Sequence, residues 1–116
     1  MATFLLLYSG GRMPEGEAEG KQVMGAWEAW MGKHGEAIVD GGNPFTPVAK
    51  TITEGGRVTD GPVGTPATGY TLIKADSLDQ AVEIAKGCPV LRGGAEISVY
   101  EAFDAMAAMG AQPHQH

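Results

Sequence analysis

Cysteine, basic residues and long apolar runs are all scarce in this sequence, and each scarcity excludes a class of protein. Cys88 is the single cysteine, so no intrachain disulfide can form and nothing indicates an oxidising compartment. Lysine and arginine number 8 against 14 acidic residues, so the net negative field would repel nucleic acid. The first apolar run, residues 4–8, is too short for a signal peptide or a membrane span. We expect a cytoplasmic protein with no nucleic-acid or membrane partner.

Chain length and glycine content bound the architecture. The 116 residues match one domain of ordinary size. The 18 glycines exceed the usual share of about 7% and fall mostly between predicted elements. We therefore expect one loop-rich domain over residues 1–110, followed by a flexible tail over 111–116.

The first predicted strand, residues 3–8, is apolar on both faces. Leu5 and Leu7 point away from Phe4 and Leu6, because side chains alternate along a strand. In so short a chain the helices can cover one face, and the other face then packs most simply against a second sheet. This pattern predicts a homodimer that pairs through its sheets.

Two helices follow from apolar residues at helical spacing. The first spans residues 17–34, with a stripe that includes Trp30 and ends at His34. The second lies within residues 76–89, where Ser77 and Gln80 have the spacing of a capping box.

Short β-prone runs make up the rest of the chain. They cover residues 37–39, 50–53, 57–59, 70–73 and 97–101. Asp40 and the two glycines after it break the first of these runs, and residues 54–56 join the next two as a hairpin. A short helix is predicted over residues 102–109. The order is the split βαβ pattern of an α+β, ferredoxin-like domain with an antiparallel sheet.

Asp60, Gly61 and Pro62 form a predicted corner in the middle of the chain. Gly61 precedes a proline, which favours extended or turn geometry, and the Asp60 carboxylate can accept hydrogen bonds from nearby backbone amides. A strand begins soon after, at Tyr70. We expect Asp60 to be held in a loop beside the buried sheet.

Four segments carry a resemblance to a known family: VTDGP at residues 58–62, the strand that opens at Gly69 and Tyr70, DSLDQAVEIAKGCP at 76–89, and the closing EISVYE strand. They resemble the YCII-related superfamily, in particular its DGPF-motif branch. The resemblance implies a ferredoxin-like fold and sheet pairing into a dimeric α+β barrel. Functions in that group are mostly unassigned. Its members resemble muconolactone-isomerase-type enzymes, and a His-Asp pair has been proposed as the acid/base machinery of some.

The chain departs from this family pattern in three places. Val63 replaces the phenylalanine of the motif, and residues 64–68 replace the charged segment that usually follows. The family histidine would fall near Val23 or Met24, neither of which can transfer a proton. Of the proposed His-Asp pair, only Asp60 therefore has a counterpart here.

Asp60 and His34 are the candidate catalytic residues. A hydrophobic pocket that raised the pKa of Asp60 would make it a general acid or base; the alternative is an aspartate that only closes a turn. His34 lies at the end of the first helix, where it can reach a ligand or interact with the last carbonyls of its own helix.

We expect a cleft near Asp60, lined by the first strand and the strand over residues 69–74, and five residues are candidates for binding a ligand. They are Arg57, Gly61, Pro62, Trp30 and Tyr70. Trp30 is either a pocket wall or a core residue, and Arg57 either binds a carboxylate or is solvated. His114 and His116 lack a third ligand, so no metal site is predicted. No nucleotide-binding motif occurs, so no cofactor is expected.

Two functions are consistent with the sequence. The first is a small-molecule enzyme, an isomerase, lyase or hydrolase, that uses Asp60 as its acid/base group. The alternative is a non-catalytic module that binds a metabolite or another protein.

Overall fold

The computed structural model describes residues 1–108 as an antiparallel sheet covered by helices on one face. The strands are β1 (Ala2–Gly10), β2 (Ile38–Asp40), β3 (Lys50–Ile52), β4 (Val58–Asp60), β5 (Ala67–Ala75) and β6 (Ala95–Ala102). The helices are α1 (Gly16–Lys33), α2 (Leu78–Lys86) and α3 (Ala105–Ala108), with 3-10 turns at Glu54–Gly56 and Pro89–Gly93. None of the described helices is long and apolar enough to cross a bilayer.

Four strands form the main sheet in the order β2-β5-β1-β6, and every neighbouring pair is antiparallel. Two units, β1-α1-β2 and β5-α2-β6, interlock because β5 inserts between β1 and β2. This is the ferredoxin-like arrangement, so the predicted α+β class is confirmed. The hairpin of β3 and β4 is an insertion between β2 and β5 and forms a separate two-stranded sheet.

Local signals set the limits of α2. The Ser77 side chain accepts a hydrogen bond from the backbone N–H of Gln80 at 3.1 Å. The Gln80 side chain in turn accepts from the N–H of Asp76 at 2.6 Å. The first bond satisfies a donor that a helix start otherwise leaves open, and the second ties the Gln80 side chain to the residue before the cap. The helix ends before Gly87, inside the range of residues 76–89 that the sequence predicted.

The two faces of the main sheet differ sharply in burial. On the helix side, Phe4, Leu6 and Ile73 are at most 1% exposed. On the other side, Leu5 and Leu7 are only partly buried. The helices therefore cover one face, as expected from the pattern of β1, and leave a second apolar face open.

Several boundaries differ from the prediction. β5 begins at Ala67 rather than residue 70, because Gly69 is a buried strand residue opposite Tyr8. α3 begins at Ala105, since Ala102 still belongs to β6. The predicted end of that helix at residue 109, and the predicted tail over 111–116, lie outside the described residues.

Candidate functional site

The edge between β2 and β5 contains a β-bulge. Ile38 lies opposite Ile73, but Asp40 lies opposite Leu72, so two steps along β2 match one step along β5. A bulge of this kind bends a strand and redirects a side chain. The result here is that Asp40 reaches the open face of the sheet.

The Asp40 carboxylate is held by two hydrogen bonds. Its Oδ1 accepts from the backbone N–H of Gly42 at 2.9 Å, and its Oδ2 accepts from the Tyr70 hydroxyl at 3.2 Å. Tyr70 lies on β5 opposite Leu7, on the open face. A carboxylate and a phenol therefore form a pair on the uncovered side of the sheet.

Phe45 adds a flat apolar surface to this pair. Its ring stacks on Tyr70 with centroids 5.7 Å apart and an interplanar angle of 23°. Its backbone N–H donates to the carbonyl of Thr68 at 2.9 Å, which fixes the segment after the bulge along β5. Phe45 is 45% exposed, so the ring remains accessible to a ligand.

Gly42 allows the bulge to approach β5 closely. Its φ is +74°, and a Cβ at this position would stand 1.7 Å from the carbonyl oxygen of Tyr70. No other residue type fits there without a shift of backbone. Glycine at position 42 is therefore a structural requirement of the Asp40–Tyr70 pair.

A buried hydrogen-bond chain supports the bulge from the helix side. The Tyr8 hydroxyl donates to Thr71 Oγ1 at 2.6 Å, and the Thr71 hydroxyl donates to the Gly41 carbonyl at 3.1 Å. The Cys88 thiol donates to the Tyr8 oxygen at 3.5 Å. Because Gly41 follows Asp40 directly, this chain fixes the backbone that positions the carboxylate.

The charge of Asp40 governs the ionisation of its partner. The nearby negative carboxylate, together with its hydrogen bond, raises the pKa of the Tyr70 hydroxyl. Tyr70 therefore stays protonated; its single O–H is donated to Asp40, and it can donate to a ligand oxygen once the hydroxyl rotates away from the carboxylate. The pair offers one proton donor and one proton acceptor side by side, which is the minimum for acid–base chemistry.

Alkaline pH should destabilise the fold through the buried chain. Burial is the main cause that raises the pKa of the Tyr8 hydroxyl above its usual 10.0 and the pKa of the Cys88 thiol above 9.0. Both groups ionise more readily when unfolded, so their stabilisation is complete below those values and declines as the pH rises above them. Each group lowers the unfolding free energy by up to about 1.4 kcal/mol per pH unit.

Urea denaturation between pH 8 and 11 would measure this decline. We expect a shallower decline in Tyr8→Phe than in the wild type, since phenylalanine does not ionise. Parallel curves for the two proteins would contradict the assignment to Tyr8.

The structure places Asp60 away from the main sheet. It ends β4, its side chain is 90% exposed, and its carboxylate pairs with the Lys50 ammonium at 2.5 Å. The expectation that Asp60 lies beside the buried sheet is wrong, because β3 and β4 pair with each other and not with β1 or β5. Its proposed role as the acid/base group stays a prediction.

The other residues of the predicted corner lie on the same hairpin. Gly61 has φ +87°, and its N–H donates to the carbonyl of Ala49 at 2.9 Å, so the corner itself is confirmed. Pro62 and Arg57 are exposed. Arg57 thus lies just before β4, and Gly61 and Pro62 lie just after it, next to the separate two-stranded sheet rather than the main one.

Trp30 and His34 lie at the end of α1. Trp30 is 4% exposed, and its indole N–H donates to the Ile84 carbonyl at 3.0 Å, which fits the alternative that Trp30 is a core residue. His34 packs edge-on against Trp30 with ring centroids 5.9 Å apart. Its backbone N–H caps the helix by donating to the Trp30 carbonyl at 3.1 Å.

Of the predicted site residues, Tyr70 alone belongs to the Asp40 pair. Sequence reasoning missed Asp40 and Phe45. An aspartate followed by two glycines within a β-prone run is a signal for a bulge, and this signal could have identified Asp40. Within residues 1–108, no group of three or more potential ligands from His, Cys, Asp and Glu could hold a metal ion. His114 and His116 lie outside this range.

Comparison with known proteins supports the fold. No protein-family model matches the chain, and no curated protein matches it. Among solved structures it is similar to 5-chloro-2-hydroxyhydroquinone dehydrochlorinase from Burkholderia phenoliruptrix in complex with 2,5-dihydroxybenzoquinone, with a TM-score of 0.51 and 17% identity. The match covers 90% of this chain and 97% of the other. At this identity the likeness shows a common fold.

Proposed function

We propose that the protein is a homodimeric, YCII-like enzyme that transfers protons on a small oxygen-containing molecule, with Asp40 and Tyr70 as its acid–base pair. The observation that carries the proposal is the hydrogen bond from the Tyr70 hydroxyl to the Asp40 carboxylate on the uncovered sheet face. On substrate binding the Tyr70 hydroxyl would rotate away from Asp40 and donate to a carbonyl or hydroxyl oxygen of the substrate, which frees Asp40 Oδ2. Asp40 would accept the proton that leaves. Isomerase, lyase and hydrolase reactions all contain such steps.

The substrate class follows from the surface beside the pair. Phe45 stacks on Tyr70, so a flat ring with oxygen substituents would contact an aromatic surface and two polar groups together. The structurally similar dehydrochlorinase is bound to 2,5-dihydroxybenzoquinone, which supports a small hydroxylated ring as the first class to test.

A second copy of the chain would complete the site. Leu5 and Leu7 line the same open face as Tyr70, and the family resemblance implies sheet pairing. A partner sheet over this face would remove water from around Asp40, and electrostatic interactions are stronger in such an environment.

Asp60 is the competing candidate for the acid/base group. It matches the family motif, but within one chain it is exposed and neutralised by Lys50. Asp40 is therefore the preferred acid/base group, and the Asp60→Asn variant has to be compared with Asp40→Asn.

The non-catalytic alternative also has a specific observation in its favour. Both oxygens of Asp40 already accept hydrogen bonds within the chain. Such a carboxylate can orient a bound metabolite without ever taking a proton.

Two measurements on the same variants test the proposal. Hydroquinone is neutral, so its binding, followed by ligand-detected NMR, does not depend on charge attraction. We expect Asp40→Asn and Tyr70→Phe each to weaken binding roughly tenfold, the equivalent of about 1.4 kcal/mol for one lost hydrogen bond. Asp79→Asn, at an exposed position on α2, is the matched control and should bind like the wild type.

Proton transfer is measured separately, as exchange of the α-hydrogens of 2-hydroxycyclohexanone in D₂O. Exchange that is lost in Asp40→Asn supports the enzyme, and exchange that is lost only in Asp60→Asn transfers the role to Asp60. If hydroquinone binds but neither the wild type nor any variant exchanges the α-hydrogens, the result supports the non-catalytic module. If neither binding nor exchange depends on Asp40 or Tyr70, the proposed site is wrong.

A further inference from the structure

A groove on the helix side of the molecule contains two basic side chains. It has a volume of about 340 Å³ and lies between α1 and the 3-10 turn Pro89–Gly93. Lys33 and Arg92 line it, together with His34 and Gln22. The volume lies within the range of small-molecule sites. The groove is therefore large enough for an organic ligand of modest size.

The groove lining is basic, although the chain as a whole is acidic. The formal net charge is -6, and four other basic residues are already paired with carboxylates: Arg12, Lys21, Lys50 and Lys86. Within the part of the chain that the structure describes, neither Lys33 nor Arg92 forms an ion pair, and none of the described residues that line the groove is acidic. The groove is thus a local positive region in an acidic protein.

The floor of the groove is rigid. Trp30 is 4% exposed and is fixed by the hydrogen bond from its indole N–H to the Ile84 carbonyl. Pro89 is also buried, and its ring restricts the backbone. A groove that combines basic side chains with a fixed apolar floor suits a ligand with an anionic head and an apolar body.

We propose that this groove binds a small organic oxyanion, a carboxylate or a phosphate ester, through Arg92 and Lys33. The guanidinium of Arg92 presents parallel N–H donors that match two oxygens of either group. Lys33 adds a second positive charge, and the His34 ring and Gln22 amide supply further hydrogen-bonding groups. The groove is distinct from the Asp40–Tyr70 pair, which lies on the opposite face of the sheet.

An NMR titration of the ¹⁵N-labelled protein at constant ionic strength tests this site. The probes are inorganic phosphate and sodium benzoate, added separately. We expect saturable shifts at the amides of Lys33, His34 and Arg92. Lys33→Gln and Arg92→Gln should each weaken binding by about tenfold. Arg92→Lys, which keeps the charge but loses the forked donors, should have a smaller effect.

Lys21→Gln is the matched control, because it removes the same charge from an exposed position of α1 outside the groove. It should bind both probes like the wild type. Saturation by one probe alone identifies the head group as phosphate or carboxylate, and both outcomes support the site. Shifts that do not saturate, or that decrease equally in Lys21→Gln, would overturn the proposal. Because hydroquinone is neutral, the outcome at the Asp40–Tyr70 site is independent of this one.

Discussion

Gly42→Ala is expected to lose at least about 3 kcal/mol of unfolding free energy and to lose the Asp40–Tyr70 pair. The left-handed conformation at φ +74° costs a residue with a Cβ about 1–2 kcal/mol. The added Cβ would also stand 1.7 Å from the Tyr70 carbonyl oxygen, and this overlap is relieved only if the bulge moves away from β5. Urea denaturation gives the stability, and hydroquinone binding reports the pair.

Gly64→Ala separates the two causes. Gly64 has a similar φ of +70°, but nothing lies within 4 Å of its added Cβ. This variant should show the conformational cost alone, about 1–2 kcal/mol, and should bind hydroquinone normally. Equal losses of stability in the two variants would mean that the bulge does not approach β5 as closely as described.

Local sequence signals were sufficient for most elements and for the fold class. The helix cap at Ser77, the hairpin around residues 54–56 and the turn at Gly61 all depend on residues within a few positions of one another, and all three are present. The order of strands and helices then leaves few sheet topologies for so short a chain. For these reasons the ferredoxin-like class followed from the sequence.

The candidate site depends on contacts that local signals do not contain. Asp40 and Tyr70 are 30 positions apart, and they meet only because β2 bulges against β5. Asp60 shows the same limit of local signals, because its turn was predicted correctly and its position relative to the main sheet was not. Its turn was predictable from Gly61 and Pro62, but whether the hairpin packs on the main sheet depends on tertiary packing.

Trp30 illustrates how an element can be predicted while the role of its residues stays open. Helical spacing placed it on the apolar stripe of α1, where a core residue and a pocket wall look alike. The indole N–H donates to the carbonyl of Ile84, which is 54 positions away. This contact identifies Trp30 as a core residue. Aromatic periodicity identifies the inward face of a helix, and only the structure identifies the partner.

Leu5→Glu is expected to convert the proposed homodimer into a monomer. Leu5 lies opposite Leu72 on β5 and Tyr100 on β6, so it is central to the open face. A glutamate there would have to be buried without a partner charge in each subunit. Each buried charge costs about 3 kcal/mol or more, so the two in a dimer should raise the dissociation constant by roughly ten-thousandfold or more. Sedimentation at micromolar concentration measures the change.

Leu78→Glu is the control, because this leucine is 48% exposed on α2 and is not part of the sheet. It should remain a dimer, and circular dichroism should show that both variants are folded. A wild-type protein that sediments as a monomer would contradict the proposed assembly. If Leu5→Glu is a folded monomer that also loses hydroquinone binding, water exclusion by the partner sheet is necessary for the site. If the monomer binds normally, Asp40, Tyr70 and Phe45 are sufficient within one chain.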